Sequence, residues 1–276
     1  MKTIVILGSN GFLAQSLIEE ISSEVKFNII LISRVRSTST QLEQIILSNY
    51  KNNFNIIKEI ILKADYVINF IYSPNKNDYI NKYFYKNLLL AIKNSKKNIH
   101  LIHLSSFSVY GFNYLNKKKI LSEDSKLIPN SKYGLIKLNN ELDLTSYHAH
   151  NYSYTVLRVG GVISVNRLPK IFKINKFILS LFLDKNSKFN LININVLINI
   201  IYQIMKNNTP FKNEIFNVSK CYSLEFFNIR ISKNSSFVKI TKYFLKLLNF
   251  SHIYQIIYND ITYDCSKINH KNNVKL

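Results

Sequence analysis

The apolar run Ile4-Val5-Ile6-Leu7 ends at Gly8, and the chain turns at once through Ser9-Asn10-Gly11 into Phe12-Leu13-Ala14. A strand with no polar alternation is buried on both faces, as central parallel strands are. Glycine lets the backbone turn tightly where a side chain would clash. A strand that needs cover on both sides demands helices above and below it. The first fourteen residues therefore commit the chain to a layered α/β architecture.

The following residues keep that rhythm. Residues 12–22 read as a helix, 28–32 as a second strand and 38–50 as a helix. Residues 54–63 are ambiguous, because Ile56, Ile57, Ile60 and Ile61 also fit one helix face. Then come a strand at 66–71, a helix at 81–93 and a strand at 100–104. A loop at 112–129 carries Lys, Asn, Ser and Pro, and leads to a helix at 133–147 and a strand at 154–159. This alternation predicts a doubly wound parallel sheet of the Rossmann type. After Gly161 the alternation fades into apolar runs at 196–205 and 214–218. The expected division is a dinucleotide-binding domain over 1–165 and a small substrate-binding C-terminal lobe over 166–276, interleaved with late sheet elements.

Composition narrows the function classes. The chain has 276 residues, 47% of them hydrophobic, which is ample for a globular core. Its net charge of +21 invites a nucleic-acid partner. However, the basic residues are scattered, and Lys117-Lys118-Lys119 is the longest run. Ile, Asn and Lys are over-used together, as in AT-rich coding. No specific nucleic-acid ligand is expected. Cys221 and Cys265 lack a second Cys or His at metal-ligand spacing, so free thiols and a reducing compartment are expected, and no metal site. His100 and His103 share a predicted strand, and His148 and His150 end a predicted helix; structural roles are expected for all four. Met1-Lys2 runs directly into the first strand, so no cleavable leader is expected, and the cytoplasm is the expected location. The apolar window 171–183 holds Lys173 and Lys176 and is too short to span a bilayer.

Three segments carry chemistry. Gly8, Asn10 and Gly11 form a turn before a helix whose first residues are Phe12 and Leu13. Such a turn brings backbone close to a pyrophosphate, and the helix N-terminus offers N–H groups to the anion. The second strand ends in Ser33-Arg34-Val35-Arg36, with no acid. A carboxylate there bonds ribose hydroxyls, whereas arginine accommodates a 2′-phosphate. Arg34 thus favours NADP over NAD. Finally, Tyr133 and Lys137 stand four apart on a predicted helix and share a face. An ammonium beside a phenol favours phenolate, which makes Tyr133 a general acid/base.

In their order, these segments resemble the extended branch of the short-chain dehydrogenase/reductases, the nucleotide-sugar epimerases, dehydratases and reductases. The likeness is good over 3–165 and thin beyond. Gly8, Gly11 and Ala14 stand at the family's glycine positions. Ala64-Asp65-Tyr66-Val67-Ile68-Asn69 resembles one of its strands, and Ser105-Ser106-Phe107-Ser108-Val109-Tyr110-Gly111 its serine segment. Pro129-Asn130-Ser131-Lys132-Tyr133-Gly134 with Lys137 resembles its tyrosine helix, Leu157-Arg158-Val159 its substrate-side strand, and Glu214–Val218 a late strand. The resemblance implies a catalytic set of Ser106, Tyr133 and Lys137. It also implies a contact of Lys137 with the nicotinamide ribose, and substrate contacts from Ser106, Tyr133 and Arg158. It further implies a homodimer through the two helices near 81–93 and 133–147, with Tyr83, Leu88, Ile92, Leu138, Leu142 and Thr145 at the surface. Three departures stand out. The C-terminal lobe is shorter than the family's, which implies a reduced or altered sugar-nucleotide pocket. Phe70-Ile71-Tyr72-Ser73-Pro74 is bulkier than the family's turn, and no adenine-binding Asp is evident in 53–58.

The implied reaction passes a hydride between a sugar carbon and the nicotinamide while Tyr133 moves a proton. Lowering a phenol from about 10 to about 7 takes roughly 4 kcal/mol of preferential phenolate stabilisation. A 4-keto-sugar reductase or a 4-epimerase of a nucleotide-activated sugar is the expected activity. Arg34 leans to the reductase, and the serine segment to the epimerase. Phe107-Ser108 stands where dehydratases carry an acid pair, which argues against dehydration. The other class is a catalytically silent nucleotide-binding scaffold of the same fold.

Overall fold

The computed structural model describes residues 1–22, 26–36, 42, 44–72, 83–111, 120–147, 150–164, 188–223 and 261–271. Strand β1 (Lys2–Leu7) leads through the glycine turn into α1 (Phe12–Ile21), followed by β2 (Phe27–Ser33), β3 (Gln44–Ile46), α2 (Phe54–Ile61) and β4 (Tyr66–Asn69). Next are α3 (Tyr85–Lys93), β5 (Ile99–Ser106), a 3-10 turn (Phe107–Val109), β6 (Ile120–Leu121), α4 (Lys132–Thr145) and β7 (Tyr152–Val159). The last elements are β8 (Gly161–Ile163), β9 (Phe189–Asn193), α5 (Ile194–Lys206), β10 (Glu214–Val218), β11 (Lys220–Tyr222), β12 (Thr262–Tyr263) and α6 (Ser266–Asn269).

Among the described residues seven strands form one sheet in the order β10-β7-β5-β4-β1-β2-β3. From β3 to β5 every pair is parallel. The order reverses next to β1, as in a doubly wound fold. The chain divides into two compact units. The first comprises Met1–Ser105, Ile136–Leu157 and Leu197–Ile215, and the second Ser106–Leu135, Arg158–Val196 and Phe216–Leu276. Two small sheets, β11-β9-β8 and β12-β6, lie in the second unit.

One core of the first unit is built from alternate strand residues and helix stripes. Val5 and Leu7, Ile32, Val67 and Leu101 pack with Ile57, Ile61, Leu88 and Ile92. Ile4 and Ile6 are equally buried, so β1 is covered on both faces, as its unbroken apolar run requires. Burying each such side chain contributes about 1.5–3 kcal/mol relative to exposure. Asp65 bonds the start of β1, with Oδ2 accepting from the Thr3 amide at 2.7 Å, and pairs with Lys97 at 3.1 Å.

The two strand histidines are both buried. His100 has both ring nitrogens satisfied, Nδ1 by Ser153 Oγ at 2.8 Å and Nε2 by Thr155 Oγ1 at 2.9 Å. The Thr155 hydroxyl donates to the Phe211 carbonyl, so it accepts from His100, which must carry its proton on Nε2. Burial, then Lys212, lowers the His100 pKa to about 3. Both cysteines are free thiols, Cys221 exposed and Cys265 buried. Among the described residues no helix is long and apolar enough to cross a membrane.

Several expectations change. The helix expected at 38–50 gives way at 44–46 to strand β3, paired in register with Leu31, Ile32 and Ser33. Two consecutive isoleucines suit an edge strand, and hydrogen bonding to β2 overrides a helix-compatible spacing. The ambiguous stretch is helical over Phe54–Ile61, with Ile57 and Ile61 inward and Ile56 exposed. Leu88 and Ile92 are fully buried in the core rather than at an association surface. On that helix the sheet claims the apolar stripe. The lysine run 117–119, the window 171–183, His148 and residues 112–119 of the loop lie outside the described residues.

Candidate active site

The glycine turn bounds a cavity of about 310 Å3 in the first unit, lined by Gly8, Asn10, Gly11, Arg34, Tyr50 and Tyr72 among others. Gly8 adopts φ +78°, a left-handed conformation that favours glycine. A Cβ there would lie 3.2 Å from both Ile71 and the Phe70 backbone, so the bulky segment after β4 presses directly on the turn. The Gly11 amide donates to the Gly8 carbonyl at 3.0 Å, which closes the turn before α1. Asn10 ties it to the end of β2 by donating to the Val35 carbonyl at 2.5 Å, where Ser33 Oγ also donates at 2.6 Å. Ser9 Oγ is buried without a partner among the described residues. Arg34 is exposed and Tyr50 is buried; burial, opposed by Arg34, raises the Tyr50 pKa to about 12. Phe12 and Leu13 are half-buried in the first turn of α1.

In the second unit, β5 ends in Ser106, whose side chain caps the 3-10 turn. Its Oγ accepts from the Ser108 amide and donates to Ser108 Oγ, both at 3.2 Å. Helix α4 starts against this turn. A Cβ on Gly134 would sit 2.3 Å from the Ser108 carbonyl oxygen, so only glycine allows the approach. That contact brings the half-buried Tyr133 and the Ser106 turn into one region of the second unit. Tyr263 stacks on Phe107, with ring centroids 3.7 Å apart and planes 12° apart.

One turn after Tyr133 on the same helix, Lys137 is only 8% exposed. Its ammonium donates to the Leu104 carbonyl at 2.7 Å and lies 6.0 Å from the centre of the Tyr72 ring. Burial lowers its pKa to about 8, and Glu141 opposes that fall. His103, on β5, is fully buried, and neither ring nitrogen has a hydrogen-bond partner among the described residues. Burial, then Lys137, holds it well below the usual range, so it is neutral.

Arg158 is buried in the second unit. Nη1 donates to the Tyr110 hydroxyl at 3.0 Å and to the Glu123 carbonyl at 2.9 Å. Tyr110 in turn donates to Asn217 Oδ1 at 2.6 Å. Asn217 reaches the carbonyls of Leu121 and Asp264 and takes the Glu123 carboxylate on its amide. Arg158 thus ties β7 to β10 and to the chain around 121–123.

The model of the NAD dependent epimerase/dehydratase family matches residues 4–218. The chain belongs to this family. No curated protein matches it in sequence. Among solved structures, UDP-glucuronic acid 4-epimerase from Bacillus cereus in complex with NAD aligns over 99% of this chain and 93% of its own, at 20% identity and a TM-score of 0.70. UDP-N-acetylglucosamine 4-epimerase from Methanobrevibacter ruminantium M1 aligns over 96% and 88%, at 17% identity and 0.65. L-threonine 3-dehydrogenase from Trypanosoma brucei aligns over 100% and 92%, at 14% identity and 0.69. At these identities the likeness is one of fold.

Set against the expectations for a member of this family, Gly8, Asn10, Gly11 and Arg34 do share one cavity, and Tyr72 links its lining to Lys137. The Gly134 contact sets the residue after Tyr133 against the Ser108 carbonyl, in the turn that Ser106 caps. Reading the sequence missed Tyr50, hidden by the helix expected there, and Glu141, which is buried at 2% exposure and accepts from Ser105 Oγ. Its position four after Lys137 was the available signal. Among the described residues no cluster of His, Cys, Asp or Glu could hold a metal.

The Gly134 contact can be tested directly. Overpacking of this kind costs ~1–3 kcal/mol, against a helix-propensity gain of ~1 kcal/mol from Gly to Ala. Gly134→Ala is therefore expected to lower the thermal midpoint. A variant melting at or above the parent would show that the Ser108 turn yields freely.

Proposed function

We propose that this protein is an NAD(P)-dependent oxidoreductase or epimerase acting on a nucleotide-activated sugar, a 4-keto-sugar reductase or 4-epimerase. The observation that carries the reading is the seat of Tyr133 and Lys137 on α4. The helix start is packed on the Ser106 turn by Gly134, and Lys137 is buried beneath the Leu104 carbonyl. Family membership and the nucleotide-sugar epimerases among the structural neighbours support the same reading.

The residues fit a dinucleotide. Gly8 holds a left-handed φ with Phe70 and Ile71 pressed against it, Ser9 Oγ is a buried hydroxyl without a partner among the described residues, and an arginine lines the cavity beside the turn. Gly8, Asn10, Gly11 and the first turn of α1 at Phe12 and Leu13 would hold the pyrophosphate, and Arg34 the adenosine end. When bound, the nicotinamide supplies the hydride chemistry. Tyr133 moves the proton at the reacting oxygen, with Lys137 favouring its phenolate form and bonding the ribose. Ser106 orients that oxygen by hydrogen bonding. Arg158 holds the substrate side in shape through Tyr110 and Glu123, and offers a contact to the sugar.

Association as a homodimer through α3 and α4 belongs to the same reading, carried by Tyr83, Leu90 and Leu142, which are 58%, 51% and 55% exposed. Light scattering across micromolar concentrations is expected to give twice the chain mass; a monomer throughout would remove the dimer.

Two variants test the chemistry, using a panel of nucleotide sugars with NADH and NADPH, and L-threonine as a small hydroxy substrate. Tyr133→Phe is expected to lose at least ~10²-fold in turnover with cofactor binding little changed. Parent-like turnover would sink the assignment. Binding of cofactor without turnover of any panel member would favour the silent scaffold, and turnover of L-threonine alone would overturn the sugar.

Arg34 sets the cofactor preference. A charge-assisted contact to a 2′-phosphate is worth about 1.5–3 kcal/mol, on the order of ten- to a hundredfold in affinity. NADPH is expected to bind more tightly than NADH by that margin, and Arg34→Ala to abolish most of it. Tighter binding of NADH by the parent would shift the reading to an epimerase that retains NAD.

A further inference from the structure

Helix α4 presents two buried, oppositely charged side chains to β5, one turn apart. Lys137 donates to the carbonyl of Leu104, and Glu141, with 2% of its surface exposed, accepts from Oγ of the next residue, Ser105. Successive turns of the helix thus engage successive residues of the strand. All four residues belong to the first unit.

A carboxylate at a solvated helix face needs no explanation. One taken fully out of water does, because burying a charge is costly unless it is paired and hydrogen-bonded. Ser105 supplies a hydrogen bond. The groups around Lys137 show where the negative charge acts. From β5 come the Leu104 carbonyl and His103, from the segment after β4 comes Tyr72, and from α4 itself comes Glu141. His103 is neutral, and Tyr72 is a phenol with its pKa raised by burial. Within this set Glu141 is the acidic side chain.

We infer that Glu141, fixed by Ser105, is a positioning residue that keeps the buried Lys137 amine charged. This rests on the proposed function, in which Lys137 must be an ammonium to favour the Tyr133 phenolate. The carboxylate acts through the lysine and touches neither substrate nor cofactor. Its one-turn offset places it on the far side of Lys137 from Tyr133, so its charge stabilises the ammonium more than it opposes the phenolate. Without it, desolvation acts on the amine alone, and the neutral form gains.

The test reads Lys137 in the whole protein, with nucleotide and sugar absent. Lysine carrying 13C at Cε gives one NMR signal per side chain, and the Lys137→Met variant identifies the signal by its loss. The parent is expected to titrate at about 8. Glu141→Gln should move that midpoint down by about one unit or more, and Glu141→Asp, which keeps the charge, should move it less. An unmoved midpoint in Glu141→Gln, or equal shifts in both variants, would overturn the inference. If Glu141→Gln does not fold, the parent alone decides. The 13Cδ signal of Glu141 must step at the Lys137 midpoint, and a flat signal there rejects the pairing. Since no substrate enters, the titration is decided independently of the panel. Turnover in the panel with an unmoved midpoint would leave the proposed function standing and remove Glu141 from it.

Discussion

At Gly8 three demands meet on one backbone atom. The chain must leave β1, turn into α1, and let the segment after β4 pass within van der Waals contact. The left-handed φ disfavours a side chain, and a Cβ there would press on Ile71 at 3.2 Å. If that position opened, the turn would move off β2, to which the Gly8 and Ser9 amides donate through the Ile32 carbonyl. The cavity follows from the same constraint. Its floor is bare backbone, its walls are the ends of β2 and β4, and Tyr50 and Tyr72 flank it.

A second seam runs between β5 and α4. Within the second unit, Gly134 allows backbone to meet backbone at the Ser108 turn; within the first, Lys137 and Glu141 reach the strand with polar atoms. Close backbone approach and buried polar contacts are alternative ways to fix a helix on a strand. The first costs a glycine in a helix, and the second costs desolvation. Here α4 uses both within three turns. That is a heavy cost for a helix whose sequence is only weakly amphipathic, and it sets the orientation of Tyr133 and Lys137 by contact rather than by general hydrophobic packing.

How legible this was depended on how local each cause is. Strands β1, β2, β4, β5, β7 and β10 show as apolar runs because burial is written into each of them. Strand β3 does not, since its isoleucines fit helix spacing as well, and its identity comes from hydrogen bonds to β2. The apolar stripe of α3 was plain, but not which surface would claim it; the sheet took Leu88 and Ile92, leaving Leu90 outside. In the site, the Tyr133–Lys137 relation follows from helical periodicity alone. Glu141 obeys the same periodicity, yet a glutamate on a helix is ordinarily solvated, and only its burial against Ser105 distinguishes it. The partners of Arg158 come from three distant segments, so no local pattern could announce them.

The stack of Tyr263 on Phe107 joins the Ser106 turn to almost the last described stretch of chain, and β12 reinforces it by pairing with β6. Contacts so far apart in sequence carry a large loop-closure cost and tend to form late. During synthesis, which proceeds from the N-terminus, the glycine turn and its parallel strands are available early. The aromatic support beneath Ser106 is not, until residue 263 has emerged. The pairing of the first strands can therefore begin before the turn at Phe107–Val109 is joined to Tyr263.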